Sequence, residues 1–231
     1  MVDDFRRSVW DVTPDRYWSD NRKAEEFIKS VDFHPGRIYD IIGKIREDTD
    51  GKETLDLGCG TRLLGSTANV DLNTFSNSKK TGNFILASGL SLPFKDECFD
   101  AVTTIEVIEH VWNPTQFLQE IYRVLKRGGR LHLTTPNIAH LSITLRYLVG
   151  HRITIHCDHR HGWNWEMLAW FLHLCGFTNL EIYTWGFVDE MQQSGKKVRL
   201  YRSYQLCNFL DKLGFKFPFL YLNIYAKATK P

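Results

Sequence analysis

The 231-residue sequence has no run of ~18 apolar residues, and so no candidate membrane-spanning helix. Its first residues, MVDDFRRSVW, carry acids and no apolar stretch, which argues against a secretory leader. The five cysteines (Cys59, Cys98, Cys157, Cys175 and Cys207) form no C-x-x-C pair, and their number is odd. That excludes a disulfide scaffold and a structural zinc site, and fits a reducing, cytoplasmic setting. No internal repeat and no low-complexity tract is present. Charge of one sign is not in excess either: 29 Lys+Arg stand against 27 Asp+Glu. A near-neutral chain has no whole-molecule field for nucleic acid or membrane. A hydrophobic share of 43% and a charged share of 24% exclude disorder, collagen and coiled coil.

What remains is a soluble α/β-sized chain, expected as one domain over 1–231. The aromatics reach 13%, with seven Trp, a supply suited to core and cleft walls. The small charge imbalance is regional. Residues 138–231 hold 11 Lys+Arg against 6 Asp+Glu, and six of the nine His. A solvated surface explains this as well as a basic, His-rich substrate side does.

Apolar spacing gives an alternation of strands and helices. Residues 21–47 read as helical, with a break at His34-Pro35-Gly36. Strands are expected at 53–57, 68–72, 83–87, 100–105 and 130–135, and late ones at 180–184 and 220–228. Pro114 suits the first turn of a helix through Phe117, Leu118, Ile121, Val124 and Leu125, stopped at Gly128-Gly129. Lys126 and Arg127 then fall in its last turn, where cations suit the dipole. Further helices are expected over 138–149 and 164–174. Alternating βα units make a parallel sheet covered by helices, and ligands of such sheets lie beyond the strands' carboxyl ends.

The strongest signal is Leu55-Asp56-Leu57-Gly58-Cys59-Gly60-Thr61 after the first of these core strands. Gly58 and Gly60 permit a sharp turn and close approach of a ligand. A dinucleotide fingerprint needs a third glycine where Leu63 stands, and Asp56 would repel a pyrophosphate. An acid there suits a ligand that carries a cationic amine. Asn69-Val70-Asp71-Leu72 ends the second strand with an acid able to accept from both hydroxyls of a ribose.

These residues, with Leu92-Pro93-Phe94, Cys98-Phe99-Asp100, Glu109-His110-Val111 and Arg123 through Gly129, resemble the class I S-adenosylmethionine-dependent methyltransferases. The resemblance covers residues 50–185 and implies a Rossmann-like, mostly parallel seven-stranded sheet with helices on both faces. It implies S-adenosylmethionine as cofactor. Asp56, Gly58 and Gly60 would hold the methionine portion and Asp71 the ribose. Leu72 would pack on adenine, Ser88, Gly89 and Leu90 would flank it, and Thr104, Ile105 and Glu106 would line the cofactor. It also divides the domain into an N-terminal helical lid (1–50), a cofactor half (51–137) and a substrate-side half (138–231). The chain departs from the pattern at three places. Arg62 replaces a third glycine. Ser88 replaces an acid, so it can accept from the adenine amine only without charge assistance. Only ten residues separate Gly60 from Asp71, which predicts a first crossover with no full helix.

Glu106, Glu109 and His110 form E-x-x-E-H after the fourth core strand, and three- and four-residue spacing would put them on one helix face. A second cluster, Cys157-Asp158-His159-Arg160-His161-Gly162-Trp163-Asn164-Trp165, precedes a helix. The pair resembles ubiquinone-pathway O-methyltransferases, and also small-RNA 3′-terminal 2′-O-methyltransferases. The second subgroup implies a metal set of Glu106, Glu109, His110 and His161, with Mg²⁺ or Mn²⁺ suiting hard oxygens with imidazole. Without a metal, His110 and His161 are the candidate bases. The expected activity is O-methylation of a small molecule or glycan. The alternatives are an RNA methyltransferase, supported by the basic run Lys196 to Arg202, and a non-catalytic cofactor-binding module. The sequence is silent on oligomeric state.

Overall fold

The computed structural model describes residues 14–35, 40–61, 64–74, 83–140, 143, 158–185 and 222–231. Arg62, Cys157, the basic run at 196–202 and residues 141–142 and 144–149 of the helix expected over 138–149 lie outside them. The order is α1 (Pro14–Ser30), β1 (Asp32–Pro35), α2 (Ile41–Thr49), β2 (Thr54–Leu57), β3 (Ala68–Asp71), β4 (Phe84–Leu86), β5 (Phe99–Ile105), α3 (Pro114–Val124), β6 (Leu125–Pro136), α4 (Trp165–Leu174), β7 (Thr178–Trp185) and β8 (Asn223–Thr229).

One eight-stranded sheet takes the order β1-β7-β8-β6-β5-β2-β3-β4. Every pairing is parallel except those of β8, which runs antiparallel between β6 and β7. The sheet has one strand more than expected. The extra strand is β1, which pairs with β7 at the edge, whereas residues 21–47 are expected to be helical apart from a break at His34-Pro35-Gly36. Asp32-Phe33-His34-Pro35 carries no helical periodicity, and a Pro is tolerated on an edge strand because its missing N–H faces away from the ladder. The helix bounds are sharper than expected as well. Asn113 caps α3 by accepting from Gln116 N, Pro114 opens it, and the chain is already extended at Leu125. Lys126 and Arg127 therefore sit on β6 rather than in a last helical turn, with Lys126 Nζ 2.9 Å from Asp100 Oδ1.

Side chains alternate between two covered faces. Leu55, Leu57, Val102, Leu131, Leu133, Ile182, Ile224 and Ala226 join the large core with α3 and α4. Tyr183 and Tyr225 point the other way, onto Ile41 and Ile45 of α2. Of the segment expected as a helical lid, α1 packs on α4, where the Phe27 ring stacks on His173 at 4.1 Å. Of its other described residues, β1 extends the sheet and α2 backs it. None of the described residues between Leu57 and Ala68 is helical, in keeping with the short first crossover.

Candidate active site at the carboxyl edge of the sheet

The turn after β2 needs glycine. Gly58 has φ +76° and Gly60 φ +55°, both in the left-handed region. A Cβ at Gly58 would run into the Val107 side chain, whereas space around Gly60 is open. The glycine loop thus packs directly on the turn that carries Glu106, Glu109 and His110. Asp71 closes the other side. Its Oδ2 accepts from Gly60 N at 2.9 Å and its Oδ1 from Asn73 N at 2.9 Å. Each oxygen keeps a lone pair for a further donor. Leu72, next to it, is 69% exposed, an apolar face left open beside an acid. Asp56 is buried below the loop. Burial, then the charges of Asp56 and Asp71, push the Cys59 thiol up to about 11, so it stays protonated.

Across the edge, Ser88 Oγ accepts from Leu90 N at 3.1 Å and shapes the 88–91 turn. Gly89 lies against Phe117, with no room for a Cβ. Thr104 is fully buried with its hydroxyl unpartnered, and Ile105 packs on the α2 side. Glu106 has φ +55°, a strained value for a residue with a side chain. Thr134 pins it: Glu106 N donates to Thr134 O and Oγ1, and Thr134 Oγ1 donates to Glu106 Oε1 at 2.7 Å.

Residues 108–110 form turns rather than a helix, so the expected single helix face for Glu106, Glu109 and His110 does not exist. Glu106 turns to Thr134 while Glu109 turns inward. Glu109 is 1% exposed and accepts from Thr135 Oγ1 at 3.0 Å. Burial raises its carboxyl to about 7. The 158–163 segment is zipped onto this turn. Arg160 N and His161 N both donate to Glu109 O, and Arg160 Nη1 donates to His110 O at 2.8 Å. The Arg160 guanidinium lies 4.0 Å above the ring of Trp112, itself 77% exposed. This brings His159, not His161, onto His110, with ring centroids 4.7 Å apart. The His161 ring lies toward Trp163 instead, at 6.2 Å. Thr134 and Thr135 were not singled out from the sequence, and Asp158 and Arg160 stood only as unassigned members of the His-rich cluster. The two threonines ending β6 were the available signal, because strand ends at this edge face the site.

Residues 55–133 match the methyltransferase domain family model. The chain is similar to the mitochondrial ubiquinone biosynthesis O-methyltransferase of Rattus norvegicus, at 49% identity over 179 residues, covering 66% of this chain and 52% of that protein. It is also similar to the ubiquinone biosynthesis O-methyltransferase of Pseudomonas entomophila, at 27% identity, covering 59% of this chain and 64% of that protein. Among solved structures, an S-adenosylmethionine-dependent methyltransferase from Thermotoga maritima superposes with a TM-score of 0.59 at 16% identity, covering 94% and 97% of the two chains. The chain has the class I S-adenosylmethionine-dependent methyltransferase fold. A phosphoethanolamine N-methyltransferase of Haemonchus contortus, solved with S-adenosyl-L-methionine, shares that fold at a TM-score of 0.54 and 19% identity, covering 96% of this chain and 61% of that one. The chain spans between about half and just under two thirds of the length of the two curated relatives. Among the described residues, no helix is long and apolar enough to cross a membrane.

Proposed function

We propose that this chain transfers a methyl group from S-adenosylmethionine to a hydroxyl of a small-molecule or glycan acceptor, in a reducing, cytoplasmic compartment. The observation that carries the reading is the cradle formed by Gly58, Gly60 and Asp71. Asp71 is fixed by two backbone N–H groups, stands beside the exposed Leu72, and faces a glycine loop with open space at Gly60. That donor and acceptor set fits a ribose next to a flat apolar base, and the buried Asp56 fits the amine of the methionine portion. The cofactor supplies an already activated methyl. The chain's own work is to hold the acceptor in line and to take its proton. His110 and His161, on the two segments zipped together over the site, are the groups proposed for the proton. The relatives named as O-methyltransferases favour oxygen over nitrogen as the acceptor atom.

The test is production of S-adenosylhomocysteine with phenolic, sugar and RNA acceptors offered separately. Turnover on a phenol or sugar hydroxyl is expected, with loss of at least 10²-fold in kcat when both His110 and His161 are replaced by Ala. Turnover on RNA alone, falling steeply with salt, contradicts the acceptor class. Cofactor binding without turnover on any hydroxyl contradicts the enzymatic reading.

A further inference from the structure

Trp112 and Arg160 meet at the rim of the carboxyl edge, one from the stretch after β5 and the other from the 158–163 segment. The indole is 77% exposed, and the guanidinium lies 4.0 Å from its ring centroid. A guanidinium on one face leaves the opposite face of the ring to solvent. Single exposed apolar residues are common on globular proteins. This one differs because the cation stacked on it is itself tied down. Arg160 N donates to Glu109 O at 2.7 Å, and Arg160 Nη1 donates to His110 O at 2.8 Å and to the Asp158 carbonyl oxygen at 3.2 Å. Fixing so flexible a side chain in advance spares that ordering when a ligand binds. Both protons of Nη1 are used by these bonds. Nε and Nη2 have no hydrogen-bond or ion-pair partner among the described residues, and together they form one edge of the planar fork. The Asp158 carboxylate makes no ion pair with Arg160 and turns instead to His110 Nδ1, at 3.3 Å. The open edge thus offers two parallel N–H groups, the arrangement that matches two oxygens of a carboxylate or phosphate. The ring beside it offers a flat apolar face.

We propose that Arg160 and Trp112 recognise the methyl acceptor, and that this acceptor carries an anionic group, a carboxylate or a phosphate, on the ring that bears its hydroxyl or next to it. The anion pairs with Nε and Nη2 of Arg160, and the ring lies against Trp112. The tie through Nη1 gives the pair its use. Nη1 holds the carbonyl oxygen of His110, one of the two residues proposed for the proton. An acceptor anchored on the guanidinium therefore keeps a fixed place relative to that imidazole, and in-line transfer depends on such positioning. The chain is nearly neutral, with 29 Lys+Arg against 27 Asp+Glu, so selection of an anion falls to a local contact rather than to a long-range field. One fixed guanidinium suits one anionic group, whereas a nucleic-acid strand is held by a row of cations. The use of the pair in methyl transfer rests on the methyltransferase reading, but its preference for anions is measured without turnover.

The test is binding of benzoate, phenyl phosphate and neutral benzamide to the full chain saturated with S-adenosylhomocysteine, followed by ligand-observed nuclear magnetic resonance. At least one of the two anions should bind ~10-fold or more tightly than benzamide, and the tighter one names the anionic group. Arg160→Gln should erase that preference while S-adenosylhomocysteine still binds. Arg160→Lys should recover only part of it, because an ammonium keeps the charge and lacks the fork. Trp112→Ala should weaken the anions and benzamide alike, by ~3- to 10-fold, and leave their ratio unchanged. A merely structural role for Arg160 would instead move all three ligands together. Absence of anion binding, equal affinity for charged and neutral rings, or an anion preference that survives Arg160→Gln overturns the proposal. Both positions are exposed, and retained S-adenosylhomocysteine binding reports that each variant is folded. The same titrations separate the two readings. An anion preference missing from a chain that binds S-adenosylhomocysteine sinks only this inference, and a chain that never binds the nucleoside sinks the cofactor assignment, with the anion preference then read on the free chain.

Discussion

At the scale of single residues, two glycines of one loop carry different duties. Gly58 is held by geometry and by space, since its φ is positive and Val107 occupies the place of a side chain. Gly60 is held by φ alone, with open space around it. Gly58→Ala should therefore lower thermal stability, by about 1–3 kcal/mol from strain and overpacking, and weaken cofactor binding with it. Gly60→Asn should keep the parent melting temperature, because Asn tolerates the left-handed region, yet block the cofactor with its side chain. Thermal melts and calorimetry on the two variants separate these effects. A Gly60→Asn protein that binds S-adenosylhomocysteine like the parent would remove the open space from the cofactor site. Gly58 and Asp71 were legible in the sequence because a strand, a sharp turn and an acid at a strand end are local features. His159 was not. Its place on His110 depends on Arg160 and His161 bonding to the backbone of Glu109, some fifty residues away, and no spacing rule reports that.

At the scale of elements, α2 is locked to the sheet by a buried polar chain on the face opposite α3. Tyr225 OH lies 2.7 Å from His132 Nδ1, and His132 Nε2 faces Asp48 Oδ2 at 3.2 Å without the alignment of a full hydrogen bond. Arg130 and Lys227 also reach the Asp48 carboxylate, which these neighbours hold well below the usual range. A charged His132 would reinforce that, but burial pushes the imidazole down, and the neutral ring accepts from Tyr225 at Nδ1 while Nε2 faces Asp48. Tyr225→Phe should cost about 1–3 kcal/mol by stranding a buried ring nitrogen. The signs for acid agree. A carboxylate with a depressed folded pKa contributes stability above its unfolded pKa and loses it as pH falls through the folded value. A histidine kept neutral by burial destabilises the fold as pH drops below 6.5, because the unfolded chain binds the proton first. The stability advantage of the parent over His132→Gln should therefore shrink between pH 7.5 and pH 5. Denaturant midpoints across that range check it, and an advantage that grows on acidification contradicts it. None of this network could be read from Asp48 or His132 alone, since it joins a helix end to two strands distant in the chain. The same limit explains β1, whose four residues become a strand only because β7 offers an edge.

At the scale of the whole molecule, seven of the eight strands and the short first crossover were readable from apolar runs and turn residues. Their order in the sheet, with β2 between β5 and β3, was not among the expectations. The antiparallel insertion of β8 between β6 and β7 was not among the expectations, since its pairing with β6 joins residues some ninety positions apart and no local pattern reports that. All strand ends that matter for the site, those of β2, β3, β5 and β6, meet at one carboxyl edge, and the 158–163 segment covers that edge from the substrate side. Methyl transfer at this edge requires that it hold S-adenosylmethionine. The most direct measurement is calorimetric titration of the full chain and of Asp71→Ala with S-adenosylhomocysteine. One site per chain is predicted. Removing the acceptor of two ribose hydroxyls should cost ~2–4 kcal/mol, roughly 30- to 1,000-fold in Kd. An absence of binding, or an Asp71→Ala chain that binds as tightly as the parent, would contradict the assignment.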